Sequence, residues 1–67
     1  MKIFTFGCLV APIIASTIPT EGLIKIVNKT WTVEGQTLYG YCEYNRPLTR
    51  EEIRDYHLVG MGVREEE

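Results

Sequence analysis

The segment Pro47-Leu48-Thr49-Arg50-Glu51-Glu52-Ile53 constrains this chain more than any other stretch. It spells a capping box. The Thr49 hydroxyl can accept from the backbone N–H of Glu52, and the Glu52 carboxylate can reach back to the N–H of Thr49. Leu48 and Ile53 stand at the two positions of a hydrophobic staple. Glu51, Glu52 and Asp55 place negative charge near the positive end of the helix dipole. Gly60, followed by Met61, has the pattern of a C-terminal cap. The spacing predicts one helix over about residues 50–58, short enough to depend on packing rather than propensity.

What precedes that helix has strand character. In Lys2–Val10, β-branched and aromatic residues dominate and both alternating faces are largely apolar, as in a central strand covered on each side. Residues 11–22 contain Pro12, Ser16, Thr17, Pro19 and Gly22 and read as a loop. It is an unusually apolar loop, with Ile13, Ile14 and Ile18 to fold back over the core or to meet a neighbour. Residues 23–45 read as a hairpin turning at Glu34-Gly35. A two-residue turn there sets Trp31 opposite Leu38, Lys29 opposite Gly40 and Val27 opposite Cys42. The apolar parity switches near Val27-Asn28, where a bulge would re-aim the side chains. A slip of one residue would exchange the faces. Met61–Arg64 is a candidate short edge strand, and residues 61–67 end in a solvated Glu65-Glu66-Glu67 tail. The expected fold is α+β: one domain, 1–67, with a small antiparallel sheet of three or four strands packed against one short C-terminal helix.

The N-terminus has a rival reading. Lys2 followed by the apolar run to Ala15 resembles a signal peptide ending near residue 16. Gly7 and Pro12 interrupt that run, and no Ala-x-Ala closes it. Cleavage would also remove Cys8 and leave Cys42 unpaired in an oxidising compartment. The retained-strand reading, with a cytoplasmic protein, is the stronger expectation; an exported, envelope-associated or secreted protein is the alternative. The run is shorter than the roughly 20 residues a membrane-spanning helix needs.

Composition removes several function classes. The chain has 67 residues and a formal net charge of −2. Residues 1–45 balance three Lys against three Glu, and the acidic excess lies in residues 46–67. No basic stripe is present to neutralise phosphates, which argues against nucleic acid as a partner. His57 is the single histidine, and no nucleophile motif surrounds it. Cys8 and Cys42 are 34 positions apart, without the closely spaced pairs of a zinc site. They read as buried small apolar residues, with a disulfide or a reactive thiol as alternatives. The carboxylates of the helix and tail offer no cleft for paired acid–base work. The glycines form neither a dinucleotide fingerprint nor a phosphate loop. Asn28-Lys29-Thr30 matches a glycosylation triplet, but its expected place is within a strand. No catalytic residue, metal ligand or cofactor is expected.

The remaining chemistry is aromatic. Tyr39 and Tyr41 alternate with Leu38, Cys42 and Tyr44, and a domain this small buries one face of its sheet well and the other poorly. Aromatic and arginine side chains dominate binding hot spots because they join large contact area to a polar handle. The expected partner-binding set is Trp31, Tyr39 and Tyr41, with Arg46, Arg50 and Arg54 at its rim. The function this suggests is a small non-catalytic protein-binding module, of the size that phages and mobile elements use as inhibitors of host enzymes. With a net charge of −2, shape and aromatic contacts rather than charge mimicry would carry the affinity. The alternatives are the exported protein and a small subunit of a larger assembly, its apolar loop buried against a neighbour. Oligomeric state is left open.

Overall fold

A computed structural model describes residues 1–11 and 13–66. Pro12, read as part of the loop, and Glu67, read as the end of the tail, lie outside the described residues. The elements in chain order are β1 (Lys2–Cys8), β2 (Leu23–Val27), β3 (Trp31–Val33), β4 (Gln36–Leu38), β5 (Tyr41–Tyr44), α1 (Arg50–Asp55) and β6 (Leu58–Glu65), with one 3₁₀ turn at Ala15–Thr17. Four strands form an antiparallel sheet in the order β2-β5-β1-β6, and β3 and β4 form a separate two-stranded sheet.

β1 lies inside this sheet because its sequence is apolar on both sides. Phe4 and Phe6 stand opposite Tyr44 and Cys42 of β5. These side chains and Cys8 face the main core, which Ile13, Ile18, Leu48 and Leu58 complete. Ile53 of α1, Leu23 and Ile26 pack against its margin. The apolar loop therefore folds back over the core through Ile13 and Ile18, while Ile14 stays exposed. The Tyr44 hydroxyl is buried among these groups and donates to the Pro19 carbonyl at 2.6 Å, fixing the loop to the sheet.

The structure departs from the sequence expectations at four places. The first strand stops at Cys8 rather than at residue 10. The single long hairpin divides in two. Its tip keeps the anticipated register, Trp31 opposite Leu38, and turns at Glu34 and Gly35, both at positive φ. In the stem, Val27 faces Tyr41 and Ile26 faces Cys42, one residue from expectation. Gly40, at φ +149, lets the chain leave the sheet, so the tip pivots into its own ladder instead of continuing the stem. Leu38 and Cys42 consequently lie on opposite faces of the main sheet, not on one.

The third departure is the helix. Its capping box forms as read: Thr49 Oγ1 accepts from the N–H of Glu52 at 3.1 Å, and Glu52 Oε1 accepts from the N–H of Thr49 at 2.9 Å. The helix ends at Asp55, however, not near residue 58. His57, at φ 56, takes the left-handed position that Gly60 was expected to supply. Leu58 is then free to start a strand by pairing with Cys8. The fourth departure follows from this. The expected tail is an eight-residue edge strand, β6, aligned on β1 from Cys8–Leu58 to Lys2–Glu65. The Met1 ammonium donates to the Glu66 carbonyl at 2.8 Å, and the Glu66 N–H donates to the Met1 carbonyl at 2.7 Å, closing the ladder.

Candidate functional site

The side of the sheet away from the main core carries Ile3, Thr5 and Gly7 of β1, in register with Glu43 and Tyr41 of β5 and with Arg64 of β6. The β3–β4 hairpin lies over this side. Its buried anchor is Leu38, seated on Gly7: a Cβ at Gly7 would come within 3.0 Å of Leu38 Cδ1 and 3.1 Å of Met61 Sδ. Glycine at this point lets a second layer approach a sheet that would otherwise be covered on one face alone.

The covering is incomplete. Trp31 and Tyr41 meet edge to face, with centroids 6.3 Å apart and planes at 79°. With Lys29 and Met61 they line an open cleft of about 330 Å³. A second cleft of about 330 Å³ runs beside the hairpin between Val33, Gln36 and Leu38 on one side and Val59 and Met61 on the other. Met61, 45% exposed, separates the two and belongs to both. A β-bulge in β6, where the partners of Thr5 and Phe6 are Gly62 and Gly60, leaves Met61 as the extra residue.

One edge of this face is polar and tied down. Glu43, 5% exposed, accepts two hydrogen bonds from Arg64, at 2.7 and 3.2 Å. Lys25 lies opposite it in register. The Arg64 guanidinium holds the Glu43 carboxyl below the usual carboxylate range, against the opposing effect of burial. The carboxylate is thus charged, paired and held in place beside the apolar clefts.

Of the six residues singled out from the sequence, the structure brings Trp31 and Tyr41 together at these clefts. Tyr39 is 38% exposed at the crossing between β4 and β5, where its N–H donates to the Cys8 carbonyl at 2.9 Å. None of the three arginines lines the clefts beside Trp31. Arg46 donates twice to Glu52, at 3.0 and 2.9 Å, and once to the Glu21 carbonyl at 2.8 Å, so it knots the turn before β2 to the start of α1. Arg50 and Arg54 project from α1 beside Leu9 and His57. Sequence reasoning missed Met61, Lys29, Gly7 and the Glu43–Arg64 pair. The alternation Val59-Gly60-Met61-Gly62-Val63 was the available signal for a strand presenting Met61.

The thiols of Cys8 and Cys42 are buried and free, with their sulfurs 4.0 Å apart. The hydrogen bond with Cys42, together with burial, pushes the Cys8 thiol far above its ordinary range. Among the described residues, no group of three or more His, Cys, Asp and Glu is placed to hold a metal ion. No helix among them is long and apolar enough to cross a membrane.

No curated protein and no solved structure matches the chain. A family model does match, over residues 1–62, a stretch that takes in the core, the hairpin and both clefts. Its description is Defence against restriction A C-terminal, an anti-restriction domain of phages and mobile elements. That description is consistent with a non-catalytic module that works by protein interaction. It belongs to the Defence against restriction A C-terminal family.

Proposed function

We propose that this chain protects incoming DNA by binding a protein component of a host restriction system, and that it docks through the Trp31–Tyr41–Met61 face. The observation that carries the proposal is the incomplete cover on that face. An edge-to-face aromatic pair and a 45%-exposed methionine line adjoining open clefts, beside a charged pair already satisfied within the fold. Such a surface offers large rigid contact area at small entropic cost, and methionine adapts to irregular partners. Tyr39 and Lys29 extend it at the margin. Arg46 serves the fold and not the partner.

Protein rather than DNA is the target on charge grounds. A chain of net charge −2 has no overall attraction to phosphates to draw on. The compartment is the cytoplasm, where restriction acts and where free cysteines persist. The interior place of β1 supports this, because loss of residues 1–16 as a signal would take out the strand that joins β5 to β6. Ile13 and Ile18 are engaged in the core, which removes the motive for burying their loop against a neighbouring subunit.

The test is plating efficiency of an unmodified phage on a restricting host that expresses the chain. The chain should raise it, and Trp31→Ala with Tyr41→Ala should abolish the gain at unchanged protein level and circular dichroism. Full protection by the folded double variant would remove the face from the proposal. No protection by the unaltered chain in hosts carrying each class of restriction system would remove the target.

A further inference from the structure

We infer that the cleft between α1 and the end of β1 is a second docking site, for a short acidic protein segment that carries one aliphatic anchor side chain. The cleft measures about 430 Å³ and is lined by Leu9, Arg50, Ile53, Arg54, His57 and Leu58. Its walls divide by chemistry into three aliphatic side chains and three basic ones, with no carboxylate among them. It lies apart from the Trp31 clefts and shares no lining residue with them.

Three local features are unfavourable to the chain's own folding, and all three meet at this cleft. Arg50 occupies the first helical position, where the dipole disfavours a cation. Arg50 and Arg54 are four apart on one helix, a spacing at which like charges repel. His57 sits at φ 56, a conformation that glycine would adopt without strain. Elsewhere the arginines are committed, Arg46 to Glu52 and Arg64 to Glu43. Here Arg50 has no carboxylate partner among the described residues, and Arg54 has an exposed contact with Asp55 at 3.3 Å that water screens. The His57 conformation also serves the turn into β6, but the two mutually repelling arginines give the fold nothing in return and mark a surface kept for something outside it.

The occupant follows from the wall chemistry. Two arginines and a histidine donate to carboxylates, and the guanidinium groups can do so in pairs. The aliphatic floor takes one buried side chain. Nucleic acid fits less well: the single ring in the cleft is the His57 imidazole, the floor is aliphatic, and the molecule is acidic overall.

The experiment is a titration of the full-length ¹⁵N-labelled chain with a capped pentapeptide, Asp-Asp-Leu-Asp-Asp, followed by amide chemical shifts. The expected result is saturable shifts at Leu9, Ile53, His57 and Leu58, unchanged in Trp31→Ala. Arg50→Glu with Arg54→Glu, whose spectrum reports its own folding, should weaken binding roughly tenfold or more. Replacing the peptide's leucine by alanine should weaken it by about the same factor. Shifts absent from these residues, or indifferent to the arginine reversal, would overturn the inference. So would an alanine peptide that binds equally, or a stronger response at the same residues to an eight-nucleotide oligothymidylate.

Discussion

Three glycines show how a single atom is tolerated or refused at different places in this molecule. At Gly40 an added Cβ would press on the Val27 carbonyl oxygen, and the backbone sits at φ +149. Gly40→Ala should therefore cost about 2–4 kcal/mol, from overpacking and backbone strain together. At Gly7 the neighbours are the ends of two flexible side chains, Leu38 at 3.0 Å and Met61 at 3.1 Å. Gly7→Ala should cost about 1 kcal/mol and loosen the hairpin before the core. Gly60 has nothing within 4 Å, and alanine there should be neutral within about 0.5 kcal/mol. Denaturant midpoints in the order Gly60→Ala, Gly7→Ala, Gly40→Ala, highest first, are the expected reading. The thiols make a separate prediction. Cys8 is 2% and Cys42 0% exposed, and the hydrogen bond with Cys42, with burial, raises the Cys8 thiol above its ordinary range. Labelling by a thiol-exchange reagent at pH 8 should run no faster than global unfolding. Fast labelling of the native chain would mean that β1 and β5 separate locally.

The elements differ in how far their own residues determine them. The start of α1 was legible because a capping box is local chemistry: Thr49, Glu52 and the staple pair act within seven residues. The hairpin tip was legible for the same reason, since Glu34-Gly35 sets its turn and hence Trp31 opposite Leu38. Where partners are distant, sequence reading failed. Gly60 looks like a helix cap until Leu58 is seen to pair with Cys8, 50 positions earlier. Arg46 looks like a rim arginine until Glu52 and Glu21 are seen to hold it. Two carboxylates link these elements to pH. Hydrogen bonds from Arg46, then from the Thr49 backbone, bring Glu52 down from 4.5 to about 2. Arg64 likewise lowers Glu43. A carboxyl whose folded pKa is depressed contributes fully above its unfolded value and loses that contribution as pH falls through the folded one. The melting temperature should be level above about pH 5 and fall between about pH 4.5 and pH 2. Glu52→Gln should melt lower at neutral pH and show a shallower acid limb; an acid limb identical to that of the unaltered chain would detach Glu52 from the effect.

For the whole molecule, the decisive fact is that one of its two interior strands is built from the first eight residues and is held from the far end of the chain. β1 pairs with β5 from Phe4–Tyr44 to Gly7–Tyr41 and with β6 from Lys2–Glu65 to Cys8–Leu58. Both ladders close long loops, which raises the entropic cost of forming them. The same arrangement joins the two proposed surfaces. Gly7 of β1 seats the hairpin that shapes the Trp31 cleft, and Leu9, just past β1, walls the α1 cleft. This is why the apolar N-terminus was ambiguous as sequence. A strand buried on both sides and a secretion signal share one composition, and the partners that distinguish them lie tens of residues away. A fragment of residues 17–67, the product that signal cleavage would leave, tests the point. It loses Phe6, Cys8 and Ile13 from the core and separates β5 from β6. Losing three core side chains at roughly 1.5–3 kcal/mol each removes about as much as a small domain's whole margin of 5–15 kcal/mol. The fragment should show a collapsed amide spectrum and no cooperative melt. A folded 17–67 fragment with dispersed shifts would mean that β2, β5 and α1 make a core of their own, and the case for a retained N-terminus and a cytoplasmic inhibitor would lose its structural basis.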